Sequence, residues 1–182
     1  GTLQYNSTST SEILHVFGDL TIGATGTYSA GSGGTGKKTY IGGSINNAGT
    51  ITFQTGTNVT GEIVWLGGTS ASTFNNTGTL TNGRIPRATH ANPLGVSYLS
   101  PVTISNYCGL IVGQVNGANI TLGNPPAATT NVLMERCYGS FATAPSFVAT
   151  NVTSRQNSYT TPVTTSGISY VASAQTIIPG EE

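Results

Sequence analysis

Asn46-Asn47-Ala48-Gly49-Thr50-Ile51-Thr52 returns as Asn75-Asn76-Thr77-Gly78-Thr79-Leu80-Thr81, and a looser copy precedes both at Ala24-Thr25-Gly26-Thr27-Tyr28. The three glycines are 23 and then 29 residues apart, the length of one coil in many solenoids. Each copy follows a strand-like run: Gly18-Asp19-Leu20-Thr21-Ile22 before the first, Gly42-Gly43-Ser44-Ile45 before the second. A single coil of this kind cannot bury its apolar side, so coils stack and share a core. Asn at fixed places can add amide ladders along the stacking axis. The repeat therefore predicts an all-β fold, a parallel β-helix or β-solenoid of short coils, over residues 1–124. After Pro125-Pro126 the repeat fades, and 125–182 reads as a less regular β region: a cap, a small sandwich, a loose coil or the start of a next segment. The alternative architecture is an antiparallel β-sandwich, which also strings short strands between turns.

The rest of the chain is consistent with strands. Leu20-Thr21-Ile22, Ile51-Thr52-Phe53, Val102-Thr103-Ile104 and Ile120-Thr121-Leu122 alternate apolar and polar residues, the period of a half-buried strand. Expected inward residues are Leu20, Ile22, Ile45, Ile51, Phe53, Ile63, Leu80, Ile104, Leu110, Val112, Ile120 and Leu122. Asn131-Val132-Leu133-Met134-Glu135-Arg136 has modest helical potential but is too short to count.

Charge narrows the function. Only 7% of residues are charged, six basic and six acidic, against roughly 25% in an average domain. Yet 36% are hydrophobic, enough for a core, so the polar surface is made of Thr, Ser, Asn and Gly. A neutral balance sets up no field to draw nucleic acid or an anionic membrane. No apolar run reaches the ~20 residues of a membrane span. The opening Gly1-Thr2-Leu3-Gln4-Tyr5 lacks the basic and apolar regions of a signal peptide, so a mature or internal sequence is expected.

At Gly1-Thr2-Leu3-Gln4-Tyr5-Asn6, Phe17-Gly18-Asp19-Leu20-Thr21-Ile22, Asn46 to Phe53 and Asn119-Ile120-Thr121-Leu122-Gly123-Asn124, the chain resembles the repetitive surface adhesins and filament proteins of Bacteroidetes-type bacteria exported by the type IX system. The resemblance covers residues 1–124 and implies an extracellular, cell-surface stalk or adhesive shaft without a catalytic site.

The search for chemistry points the same way. Polysaccharide lyases and glycoside hydrolases on β-helices need paired carboxylates, or carboxylates holding Ca²⁺ beside a base. The acids are Glu12, Asp19, Glu62, Glu135, Glu181 and Glu182, and only the terminal two adjoin. Glu62, beside Trp65, reads as a solvated strand residue. His15 and His90 lack metal-ligand spacing. Gly31-Ser32-Gly33-Gly34-Thr35-Gly36-Lys37-Lys38 misses the Walker spacing. Arg84-Ile85-Pro86-Arg87-Ala88-Thr89-His90 reads as an exposed basic loop. No catalytic residue, metal ligand or cofactor is assigned, and the chain is expected not to be an enzyme.

Candidate binding features remain. Cys108 and Cys137 either form a disulfide, closing a loop of roughly 30 residues at about 3–4 kcal/mol, or stay as two buried thiols. Trp65, Tyr40, Tyr98 and Tyr107 are candidate stacking platforms for glycans. Sequons begin at Asn6, Asn58, Asn75, Asn119 and Asn151, candidate N-glycosylation sites. The expected function is an extracellular structural or adhesive segment of a surface adhesin or filament. The alternatives are a self-assembling filament or pilus subunit, and a glycan-binding module or polysaccharide-active β-helix enzyme. Expected partners are other copies or segments of the same surface protein and glycans.

Overall fold

A computed structural model describes residues 1–4, 13–30, 37–53, 61–123, 131–147, 151–156 and 174–178. Every strand pairing among them is parallel, which excludes the sandwich and makes the chain a parallel β-solenoid. Three sheets wrap one core. The long sheet stacks Ile13–Val16, Lys38–Ile41, Glu62–Trp65, Arg84–His90, Val102–Leu110, Asn131–Arg136, Asn151–Gln156 and Ala174–Ile178. A second sheet stacks Leu20–Ile22, Ile45–Asn47, Ser72–Asn76, Val96–Tyr98, Gln114–Asn116 and Ser140–Thr143. The third holds Thr2–Gln4, Thr27–Ser29, Thr50–Thr52 and Thr79–Leu80.

Register partners on the long sheet run Ile13, Lys38, Glu62, Arg87, Tyr107, Leu133, Thr153, Thr176. A rung therefore takes 20 to 26 residues. The ladder continues past residue 124. Asn131–Arg136, expected to be too short for a helix, is a strand on the Tyr107–Leu110 edge, and Asn151–Gln156 pairs with it in turn.

The repeat has a steric origin. The N–H of the residue after each column position donates to the carbonyl one rung below: Thr27 to Gly1 at 3.0 Å, Thr50 to Gly26 at 3.0 Å, Thr79 to Gly49 at 2.7 Å. At that corner the backbones pass so closely that a Cβ on Gly49 would fall well inside 3.0 Å of the Gly26 and Gly23 carbonyl oxygens. One on Gly78 would meet Gly49 and Ala48 in the same way. Only glycine fits there.

One irregularity divides the tube. After Leu80 a 3-10 turn, Thr81–Gly83, carries Asn82 at φ 62 and Gly83 at φ 64. Both are left-handed conformations, which Asn and Gly tolerate best. The chain then re-enters the long sheet at Arg84, with a register shift between Ile85 and Arg87. From here Ile85, Ile104, Leu122 and Phe147 form their own parallel line.

Ten of the twelve expected inward residues are buried; Leu80 packs against the core from its edge, and Val112 stays half-exposed. The interior also holds polar groups, and some of them are bonded along the axis. Buried Asn47 donates to Asn76 Oδ1 at 2.6 Å and to the Thr79 carbonyl at 3.2 Å, while its Oδ1 accepts from the Gly49 N–H at 3.1 Å. Removing one partner of a buried hydrogen bond exposes the desolvation cost of the others. Asn47→Ala should thus lower unfolding free energy by about 1–3 kcal/mol in urea titration, whereas a change within a few tenths would show that this amide ladder is dispensable.

Candidate adhesive and binding surfaces

Alternation places the odd members of each rung outside, and on the long sheet the chain's scarce charges gather there. Glu62 lies between Lys38 and Arg87, its register partners on either side. Its Oε2 is 3.4 Å from Lys38 Nζ and 3.6 Å from Arg87 Nε, and its Oε1 accepts from the Thr89 hydroxyl at 2.6 Å. The Glu62 side chain is only 7% exposed, so it is a clamped acid and not the solvated residue expected. Arg87 continues the line, its guanidinium 4.6 Å above the Tyr107 ring. The Tyr107 hydroxyl donates to Glu135 Oε2 at 2.7 Å. That ring lies across Gly109, where a Cβ would come within 2.7 Å of the phenol oxygen. Burial first, then the Glu135 carboxylate, hold the phenol well above its ordinary pKa.

The strip therefore binds rung to rung. Its carboxylates already face Lys38, Arg87, Thr89 and Tyr107. Arg84–His90, expected as an exposed basic loop, is a strand of this sheet in which Ile85, Pro86, Ala88 and His90 are buried. The strand signal was its alternation, which the two arginines and the proline obscured.

The stacking platforms separate. Trp65 and Tyr98 are 0% and 2% exposed and lie in the core, so neither presents a face to a glycan. They flank His90, which stacks on Trp65 at 5.3 Å and 4°. The His90 Nδ1–H can only donate to the Gly109 carbonyl, 2.7 Å away, so Nε2 accepts from the Tyr98 hydroxyl at 2.8 Å. Burial pushes the His90 pKa down to about 4, the Gly109 hydrogen bond opposing in part. Tyr40 is on the outer face but stacks on His15 at 4.7 Å and 5°. One face of the Tyr40 ring is therefore occupied by protein.

The cysteines are free thiols and not a disulfide. Cys108 points into the core between Ala88 and Met134 on neighbouring rungs, and burial raises its pKa to about 12. Cys137 sits beyond the end of its strand, its N–H on the Leu110 carbonyl at 2.9 Å. Burial and then Glu135 raise its pKa. Of the sequons, Asn6 and Asn58 fall outside the described residues. Asn75 is outward and partly exposed, accepting from Ser100 Oγ at 3.3 Å. Asn119 uses its amide to hold the Tyr98 carbonyl at 2.8 Å. Asn151 begins a strand of the long sheet.

Among the described residues no three of His, Cys, Asp and Glu converge as metal ligands, and no helix is long and apolar enough to cross a membrane. Residues 31–36 lie outside the described residues. A cavity of about 310 Å³ opens at the first rung, lined by Leu3, Leu20, Ile22 and Tyr28 among others. Comparison with family models, with curated proteins and with solved structures finds no match for this chain.

Proposed function

We propose that this chain is a structural segment of an extracellular surface adhesin or filament, a shaft that carries no catalysis. The observation that supports this reading is where the polar groups spend their bonds. Asn47 with Asn76, Thr52 with Thr81 at 2.9 Å, Lys38 with Glu62 and Arg87, and Tyr107 with Glu135 all join one rung to another. A catalytic centre holds such groups apart, facing a cleft where a substrate can reach them. Here they fasten neighbouring coils, as a stacked repeat requires. The resemblance at residues 1–124 to Bacteroidetes-type adhesins supports the extracellular setting, and a surface of hydroxyls and amides suits it. Small-angle scattering of the purified chain should give an elongated particle with a rod-like cross-section term. A compact, nearly spherical profile would sink the shaft.

A further inference from the structure

The outward side of the third sheet carries register columns of threonine and other uncharged polar residues. Its strands read Thr2-Leu3-Gln4, Thr27-Tyr28-Ser29, Thr50-Ile51-Thr52 and Thr79-Leu80, followed by Thr81. Register places Thr2, Thr27, Thr50 and Thr79 in one column, and Gln4, Ser29 and Thr52 in a second. Tyr28 and Ile51 are buried beneath, while the four column threonines are exposed or partly exposed. None of these strand residues is charged, and Tyr28, their one aromatic ring, is turned inward.

The spacing follows from strand geometry. Parallel rungs stack about 4.8 Å apart, and residues two apart on a strand are separated by about 6.6 Å. Threonine is stiff at χ1, so its hydroxyl and methyl hold their places. A tetrahedral water network with an O···O distance of about 2.75 Å puts oxygens that share a neighbour about 4.5 Å apart, and repeats about every 7.3 Å across its puckered layers. Over the three steps from Thr2 to Thr79 the mismatch accumulates to about 1 Å, roughly a third of one O···O spacing. Across the two columns it is a single step of about 0.7 Å. In the second column the Thr52 and Thr81 hydroxyls meet each other at 2.9 Å, so the first column carries most of the match.

We propose that this hydroxyl face binds ice. A charged ligand finds no counter-charge on these strands, and a sugar finds no outward aromatic ring, whereas an uncharged lattice of hydroxyls and methyls fits ordered water. The proposal names the surface to which an adhesive segment of this kind would hold, and so extends the shaft reading. One copy offers a small array, so its grip is weak alone and grows when segments are repeated.

The test uses the purified 182-residue chain in ice recrystallisation and thermal hysteresis measurements, with crystalline cellulose as the competing solid. The chain should slow grain growth and shape ice crystals. Thr50→Lys, at the centre of the column, should require about tenfold more protein for the same effect, as losing a central contact of a small site does. Thr50→Val, which keeps the shape, should weaken the effect less. Thr21→Lys, exposed on the second sheet, should leave it unchanged. Circular dichroism melts of each variant separate lost binding from lost folding. An inactive wild-type chain, full activity in folded Thr50→Lys, or retention on cellulose without ice activity would each overturn the proposal. Rod-like scattering with no ice activity removes this inference alone; ice activity in a compact particle removes the shaft alone.

Discussion

Gly49→Ala is expected to cost at least about 3 kcal/mol. The cause is local and mainly a clash between main chains. The new methyl would lie inside 3.0 Å of the Gly26 and Gly23 carbonyl oxygens and meet Ile22 Cγ2 at 2.9 Å. The Gly26 carbonyl cannot retreat, because it accepts the Thr50 N–H at 3.0 Å. Relief requires the corner to open, which breaks this bond and the Asn47 Oδ1 bond to the Gly49 N–H. A flexible side chain would yield for less; two main chains do not. Gly83→Ala, with nothing within 4 Å of the added carbon, is the control: its left-handed φ of 64 should cost only about 1 kcal/mol. Urea midpoints for the two variants test the claim, and equal losses would refute the steric account.

Acid should weaken the fold through His90. Its folded pKa is about 4 against an ordinary 6.5, so between those values the unfolded chain binds the proton more readily. The stabilisation is complete above pH 6.5 and is lost as pH falls towards 4, amounting to about 3 kcal/mol. The geometry explains the direction. A proton on Nε2 would face the Tyr98 hydroxyl that now donates to it, and that hydroxyl would have to turn and find another acceptor. Trp65, stacked on the ring, offers no charge to compensate. Unfolding free energy should therefore fall steeply between pH 7 and 4.5 in the wild-type chain and much less in His90→Phe. A slope that survives the substitution would assign the effect to other groups.

How much of this could be read beforehand depends on the distance over which each signal acts. The coil was legible because a glycine column and its threonines recur in the string itself. Facing was legible too, through parity. Ile63 is inward, so Trp65, two residues on, shares its side; Val96 commits Tyr98 likewise. Treating those rings as outward ignored alternation in favour of residue type. By the same rule Glu62 and Tyr40, one step from Ile63 and Ile41, belong outside, where they are found. What could not be read was the partnership between rungs. Tyr107 meets Glu135 and Arg87 meets Glu62 only after loops of unequal length have set the register. Cys108 and Cys137 looked pairable because spacing in sequence says nothing of which side of a strand each occupies.

Within each sheet the described strands run parallel, and their main-chain bonds run along the tube. Tension applied between its ends would consequently peel it turn by turn instead of shearing it at once. Each turn of 20 to 26 residues would pay out about 70–90 Å of slack at roughly 3.4 Å per residue. A shaft so made yields like a ratcheted spring, lengthening in instalments while the remaining coils keep their shape.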